Sequence, residues 1–128
     1  MRWSLQSISG LSEKEQAAHC LLYTSFNKVI EDSNLNVVYT GYCDNWMAEL
    51  AGNYVTQGLE VTKDIVGVMC GNDDLASQAV KVLSENRLAG KVAVVAQDAD
   101  LAACQRIVEG TQEMTCLLYT SECIYILH

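Results

Sequence analysis

Short apolar runs that alternate with amphipathic helical patterns constrain the fold of this chain more than any other feature. The runs have the length and β-branched content of buried strands, and they occupy 35–40, 65–70, 91–96 and 114–119. The helical patterns between them occupy 44–59, 73–87 and 99–109. Continuous apolar strands separated by helices are typical of a parallel sheet that is covered on both faces. We therefore predict an α/β fold, a Rossmann-like parallel sheet with helices on both faces.

Polar residues and glycines mark where the predicted helices begin and end. Asp and Asn are favoured N-caps, and they precede the three helices as Asp44, then Asn72 or Asp73, then Asp98 or Asp100. Gly90 and Gly110 follow the last two helical patterns, as glycine does at helix C-termini. In the last helix, the spacing predicts that Leu101, Cys104 and Val108 face the core.

Charge and hydropathy exclude several classes of partner. The chain of 128 residues has the length of one domain and carries a formal net charge of −8. A nucleic-acid partner needs a basic face, so we expect none. No run of about 18 apolar residues occurs, so we expect no membrane span. The N-terminus lacks the apolar stretch of a secretory signal, and we expect no signal peptide in this chain.

The six cysteines form no CxxC pair, and the two histidines stand at no metal-ligand spacing from them. We therefore predict no metal site. Cys43, Cys70 and Cys104 are predicted to be small buried hydrophobes. No glycine-rich nucleotide-binding motif and no nucleophile elbow occurs, so we expect neither a cofactor nor enzymatic activity.

Two polar clusters follow neighbouring predicted strands at the point where each strand ends. Residues 71–74 follow the strand at 65–70, and residues 97–100 follow the strand at 91–96. Ligands of open parallel α/β sheets bind outside the carboxyl ends of the strands. Because both clusters belong to that edge, we predict the functional site there.

A hexapeptide, Cys-Leu-Leu-Tyr-Thr-Ser, occurs at 20–25 and again without change at 116–121. Structural repeats share a diffuse pattern over roughly 20–50 residues, whereas these identical copies have unrelated flanks. One reading of a transposon-end adapter used in preparing sequencing libraries translates as the same hexapeptide. We therefore interpret the copies as inserted, with coincidence as the alternative. This divides the chain into a doubtful segment at 1–25, a natural segment at 26–115 and a doubtful tail at 116–128.

Three motifs of the natural segment resemble type I periplasmic sugar-binding proteins, the substrate-binding subunits of ABC transporters. The motifs are GNDDLASQA at 71–79, LAGKVAVVAQDADLA at 88–102 and RIVEGTQEMT at 106–115. The first is shared widely, including by sugar-responsive repressors, whereas the second and third together are fairly specific and most similar to the xylose-binding branch. The resemblance implies the C-terminal lobe of a periplasmic-binding-protein-like fold, without the N-terminal lobe or the hinge.

The resemblance also implies three sugar-binding residues. Asn72 matches an asparagine that hydrogen-bonds sugar hydroxyls, Asp98 matches an aspartate that accepts from them, and Trp46 matches an aromatic that stacks on the ring. This agrees with their chemistry, because Asn offers both a donor and an acceptor and a carboxylate accepts strongly. Tyr42 is a weaker second aromatic candidate. The family's sugar-binding lysine is replaced by Leu118.

Structural roles for the same residues remain open at this point. Asn72 and Asp98 are also suited to capping helices, and Trp46 is also suited to the core. The remaining carboxylates at these junctions are assigned to helix caps and helix-dipole interactions, namely Asp73, Asp74 and Asp100.

The favoured function is a non-enzymatic module that binds a pentose or similar monosaccharide for an ABC permease, in the periplasm or cell envelope. The alternative is the effector-binding core of a sugar-responsive transcription repressor, which has the same fold. That alternative needs an N-terminal helix-turn-helix, and residues 1–25 carry too little basic charge for one. An enzymatic or receiver-like domain needs a nucleophile with its base, or a phosphoacceptor aspartate with a lysine, and neither constellation is found.

Overall fold

The computed structural model of the chain describes residues 24–117. Most of the two doubtful segments therefore lies outside the described residues, as do Leu118 and the end of the predicted fourth strand. Residues 24–31 are helical (α1), and a short 3-10 turn at Asp44–Trp46 precedes α2. The other elements are α2 (Ala48–Val61), β1 (Gly67–Met69), α3 (Asp73–Glu85), β2 (Ala93–Gln97), α4 (Leu101–Glu109) and β3 (Met114–Cys116). Within this part of the chain, no helix is long and apolar enough to span a bilayer.

The three described strands form one sheet in the order β1-β2-β3, and both pairings are parallel. Val68 lies opposite Val94, and Ala96 lies opposite Thr115. The predicted parallel pairing of the strands at 65–70 and 91–96 is therefore confirmed, together with the α/β class. Because all three strands point the same way, their carboxyl ends share one edge of the sheet.

The predicted strand at 35–40 is wrong. These residues have no regular secondary structure, and β1 is the edge strand of the described sheet. Leu35 and Val38 are exposed, whereas Tyr39 packs against Gly58 of α2, where an ideal Cβ would lie 3.7 Å from the Tyr39 Cβ. An apolar, β-branched run fits a half-buried surface in general, and here a helix rather than a neighbouring strand supplies that surface.

The start of α2 also differs from the prediction. Asp44 opens the 3-10 turn instead of the helix, and Asn45 and Trp46 have left-handed φ values of 51° and 57°. Met47 is extended and is the N-cap of α2, without a side-chain hydrogen bond. Left-handed residues interrupt a right-handed helix, so the predicted N-cap role of Asp44 is wrong.

Arg87 ends α3, where the sequence predicted Gly90. The Leu88 N–H donates to the Leu83 carbonyl at 2.8 Å, which is the longer bond of a Schellman motif. Arg87 adopts the left-handed conformation that this motif requires, with φ 60°. Gly90 lies in a separate turn with φ 74°, where a Cβ would come within 3.0 Å of the Gly110 carbonyl oxygen. The predicted end of α4 at Gly110 is confirmed, with φ 76°.

The core lies between α3 and β2. Most of its buried apolar side chains come from these elements or lie next to them, and the full set among the described residues is Ala51, Cys70, Leu75, Ala76, Ala79, Val80, Leu83, Val92, Val94 and Ala96. α2 approaches α3 closely at Gly52, where an ideal Cβ would lie 3.5 Å from Val82 Cγ2. Truncating a fully buried leucine such as Leu83 typically costs about 2–5 kcal/mol. This packing fixes the positions of α3 and β2, and with them the residues at their ends.

The predicted inward face of α4 is wrong. Leu101 is 76% exposed and Val108 is 89% exposed, and Cys104 is exposed as well. Ala103 is the buried residue of α4, and Arg106 reaches from α4 to α3. α4 therefore packs on the rest of the fold through the small Ala103 and the polar Arg106. Its predicted apolar stripe is exposed within the described part of the chain.

Candidate functional site

Asn72 and Asp98 lie at the same edge of the sheet. Asn72 comes shortly after β1 and Asp98 directly after β2, and these strands are parallel neighbours. Trp46 approaches this edge from the turn before α2, because an ideal Cβ on Gly71 would lie 3.0 Å from Trp46 Cζ3. The fold therefore places all three sequence-predicted residues around the first two strand ends.

Asn72 is the N-cap of α3. Its Oδ1 accepts a hydrogen bond from the Leu75 N–H at 2.9 Å, and its backbone is extended with φ −153°. The capping role considered from the sequence is therefore real. It uses one lone pair of Oδ1 and leaves the Nδ2 donors to other partners, so capping and ligand binding are compatible.

Asp98 does not cap a helix. Asp100 is the N-cap of α4, and its Oδ1 accepts from the Ala103 N–H at 2.5 Å. Asp98 and Ala99 instead form a left-handed turn, with φ values of 104° and 54°. Their N–H groups donate to the Cys116 carbonyl and to Thr115 Oγ1, each at 2.9 Å. This turn leaves the Asp98 side chain exposed at the edge of the sheet.

The surroundings of Asp98 shift the pKa of its carboxyl. Partial burial raises the pKa of the Asp98 carboxyl, and the neighbouring charges of Asp73, Asp100 and Asp74 raise this pKa further. The acidic residues at this edge also disfavour an anionic ligand, so the edge is better suited to a neutral one.

Trp46 combines both roles considered from the sequence. It is partly buried and packs against the core cluster. It also lines a groove of about 910 Å³ between residues 34–46 and the edge strand β1, which Tyr42 and Gly71 line as well. Ala93 and Val95 of β2 and Leu75 of α3 also line this groove.

One residue connects the two junctions, and its role was not predicted from the sequence. Asp73, assigned to a helix cap, is fully buried, with 0% exposure. Its Oδ1 accepts from Gln112 Nε2 at 2.9 Å. Its Oδ2 accepts from Thr115 Oγ1 at 2.7 Å and from the Asp100 N–H at 3.1 Å. A buried carboxylate with this many donors is a structural hydrogen-bond centre, not a solvated cap.

Arg106 completes the arrangement from α4. Its guanidinium donates to the Asp73 carbonyl at 3.1 Å, to Ser77 Oγ at 2.7 Å and to Gln112 Oε1 at 2.8 Å. The last bond orients the Gln112 amide so that its Nε2 faces Asp73. We call this set the Asp73 cluster; its members are Asp73, Ser77, Asp100, Arg106, Gln112 and Thr115.

Other chemistry at the edge is limited. Burial raises the pKa of the Cys70 thiol to about 12, which makes Cys70 an inert core residue as predicted from the sequence. Gln97 ends β2 as a buried residue, and its Oε1 accepts no hydrogen bond in the described part of the chain. Within residues 24–117, no group of three or more His, Cys, Asp or Glu is placed to hold a metal ion.

Comparison with known proteins decides the family. A family model described as a periplasmic binding protein domain matches residues 12–125, which is most of the chain. The chain belongs to the periplasmic binding protein domain family. Its resemblance to this family was inferred from the three motifs, and the match confirms it.

Two individual relatives show which periplasmic binding proteins the chain resembles in sequence. The chain is 42% identical over 88 residues to the D-xylose-binding periplasmic protein of Haemophilus influenzae. It is 38% identical over 87 residues to the D-xylose-binding periplasmic protein of Escherichia coli. The alignments cover 68% and 67% of this chain but 26% of each relative, so the chain spans about a quarter of their length.

A solved structure shows the same fold. It is the crystal structure of an ABC transporter solute-binding protein from Burkholderia multivorans, with an unknown ligand represented as α-D-erythrofuranose. The two chains superpose with a TM-score of 0.66 at 22% sequence identity. The superposition covers 73% of this chain and 32% of the other, which places the described α/β unit within a larger periplasmic binding protein fold.

Proposed function

We propose that this chain supplies one lobe of the sugar-binding site of an ABC transporter's substrate-binding protein, and that its sugar is a pentose or similar monosaccharide. The observation that carries the proposal is the convergence of Asn72, Asp98 and Trp46 at the carboxyl edge of one parallel sheet. The two D-xylose-binding relatives support the choice of sugar class and make D-xylose the first candidate.

Each residue has a defined task in this proposal. Asn72 donates to a sugar oxygen through Nδ2 while its Oδ1 caps α3. Asp98 accepts from one or two hydroxyl groups, which adds donors to a carboxylate that its acidic neighbours disfavour. The exposed part of the Trp46 ring packs against the apolar face of the pyranose, as aromatic rings do with C–H surfaces.

The module is a binding protein and carries out no reaction. In the intact protein it delivers sugar to an ABC permease on the outer side of the cytoplasmic membrane, in the periplasm or cell envelope. Membership of the periplasmic binding protein family supports this placement. The net charge of −8 argues against a nucleic-acid partner.

Binding by this chain alone is weak. In family members, two lobes close around the ligand, and each supplies part of its hydrogen bonds. A single lobe leaves one face of the sugar in water, and Leu118 stands where the resemblance places a lysine donor. We expect dissociation constants in the millimolar range or above, which corresponds to a binding free energy of roughly −4 kcal/mol or weaker.

Calorimetry on the purified 128-residue chain tests the proposal, with D-xylose, D-ribose and D-glucose as ligands. Millimolar binding, strongest for a pentose, is the expected result. Absence of binding at sugar concentrations of about 100 mM would count against the site. A micromolar constant would show that one lobe suffices and would overturn the half-site account.

We further propose that the natural part of the chain is 26–115 and that residues 1–25 and 116–128 are doubtful, because each contains one copy of an inserted hexapeptide. The identical hexapeptides at 20–25 and 116–121 support this division. Independent clones decide it: sequencing reads across both junctions that repeat the same codons would refute the inserted origin.

A further inference from the structure

The turn at Asp98 and Ala99 has an unusual backbone. Both residues have positive φ, 104° and 54°, although neither is glycine. Such conformations persist only where the surrounding structure holds them. The holding contacts are the hydrogen bonds of three successive N–H groups, at Asp98, Ala99 and Asp100.

Two of these three bonds lead to the Asp73 cluster. The Ala99 N–H donates to Thr115 Oγ1 at 2.9 Å, and the same hydroxyl donates its proton to Asp73 Oδ2 at 2.7 Å. The Asp100 N–H donates to the same carboxylate oxygen at 3.1 Å. A hydroxyl carries one donor and two acceptor lone pairs. Since Asp73 accepts its proton, Thr115 presents a lone pair to Ala99.

The carboxylate of Asp73 is itself held in place. It is fully buried, and Gln112 Nε2 donates to its other oxygen at 2.9 Å. Arg106 fixes Gln112 through a bond of 2.8 Å to Oε1 and brings a positive charge next to the backbone of Asp73. The Asp98 turn is therefore held in position by Asp73, which belongs to the first strand–helix junction, and not by contacts within the turn.

We propose that Asp73 and Thr115 are positioning residues that hold the Asp98 turn in the conformation in which the Asp98 carboxylate meets a sugar hydroxyl. Neither residue contacts the ligand. The inference rests on the proposed function for its link to sugar, whereas the positioning of the turn can be measured without any ligand.

Thr115 offers the cleanest test because its shape can be kept while its hydroxyl is removed. Thr115→Val has nearly the same volume and leaves the Ala99 N–H without its acceptor. Thr115→Ser keeps the hydroxyl and should restore the wild-type behaviour. Thr111→Val is the matched control, since the Thr111 hydroxyl donates to the Arg106 carbonyl at 3.3 Å and makes no bond to the turn.

The first readout is amide hydrogen exchange by NMR in the full chain without sugar. In Thr115→Val we expect the Ala99 amide to exchange about tenfold faster, while the Val94 amide in the core is unchanged. Thr115→Ser and Thr111→Val should leave Ala99 at its wild-type rate. Unchanged exchange at Ala99 in Thr115→Val would overturn the positioning role.

The second readout is the D-xylose-induced shift of the Asp98 amide at one fixed sugar concentration. It should fall several-fold in Thr115→Val and be retained in Thr115→Ser and Thr111→Val. Faster exchange at Ala99 with an undiminished sugar response would overturn the link between position and binding. If the wild-type chain shows no response, the proposed function fails, and the exchange data still decide the positioning. If Thr115→Val does not fold, Thr115→Ala is measured in its place.

Discussion

The two strand–helix junctions of this chain differ in how they hold their polar residues. At the first, Asn72 is extended and caps α3, and Asp73 is buried among donors from α4 and the β3 region. At the second, Asp98 and Ala99 are left-handed and exposed, and their amide hydrogen bonds end on residues outside the turn. The first junction therefore contributes stability, and we propose that the second presents a ligand-binding carboxylate whose position depends on the first.

Removing Asp73 should have the largest effect. Asp73→Ala leaves a buried donor on Gln112 and partly buried donors on Thr115 and Asp100 without this acceptor. We expect the free energy of unfolding to fall by about 3 kcal/mol or more, as measured by urea denaturation. Asp74→Ala, at the exposed neighbouring position, is the control and should cost less than about 1 kcal/mol. Equal losses in the two variants would show that the buried hydrogen bonds of Asp73 do not stabilise the first junction.

Asn72 separates capping from sugar binding. Asn72→Ala removes the cap on α3 and should lower the free energy of unfolding by about 1 kcal/mol. Asn72→Asp keeps a capping oxygen but replaces the Nδ2 donors. It should therefore keep stability and still weaken sugar binding, by roughly 1–3 kcal/mol when placed at the equivalent position of an intact D-xylose-binding relative. An unchanged titration isotherm in that relative would limit Asn72 to capping.

Ala99 tests the strain at the second junction. Its φ of 54° favours glycine, so Ala99→Gly should relieve backbone strain. Glycine also loses more backbone entropy on folding, which offsets part of this gain. We expect the free energy of unfolding to rise by up to about 1 kcal/mol. The matched change at the first junction, Asp74→Gly in the first turn of α3, should instead be destabilising by about 1 kcal/mol. A loss of stability in Ala99→Gly would mean that the turn is not strained.

The smallest expected effect concerns pH. Burial and then the charges of Asp73, Asp100 and Asp74 raise the pKa of Asp98, so the folded state binds this proton more tightly than the unfolded state. The contribution of Asp98 to stability is therefore greatest below the ordinary aspartate pKa and declines as pH rises through the raised one. Carboxyl NMR titration should place the Asp98 pKa above the ordinary aspartate value, and Asp100→Asn should lower it. An Asp98 pKa that Asp100→Asn leaves unchanged would contradict the assigned environment.

The sequence predicted the sheet because the apolar run at 92–96 is continuous and stands between helical patterns. The same reasoning failed at 35–40, because β-branched content cannot distinguish a strand from a segment that packs on a helix. Arg87 shows a similar limit. A Schellman motif favours glycine, yet Leu88 closes the motif at 2.8 Å with an arginine in the left-handed position, so the nearby Gly90 was a misleading signal.

The candidate site was partly predictable. Asn72 and Asp98 follow strands, and strand order alone puts them at one edge. The Asp73 cluster was not predictable, because its partners Asp100, Gln112 and Thr115 stand 27, 39 and 42 positions from Asp73. A local sequence pattern cannot indicate hydrogen bonds between residues that lie so far apart along the chain. The polar residues of the motif at 106–115 were the available signal, and only the folded geometry gave them a role.

A residue-resolved NMR titration with D-xylose tests most directly whether the two junctions form one ligand edge, with L-xylose as the matched control. We expect the amides of Asn72 and Asp98 and the indole N–H of Trp46 to shift together, with one weak dissociation constant in the millimolar range or above. L-xylose should produce smaller shifts, because its hydroxyls do not match the same donors and acceptors. Equal shifts with both enantiomers, or D-xylose shifts confined to residues away from this edge, would contradict the account.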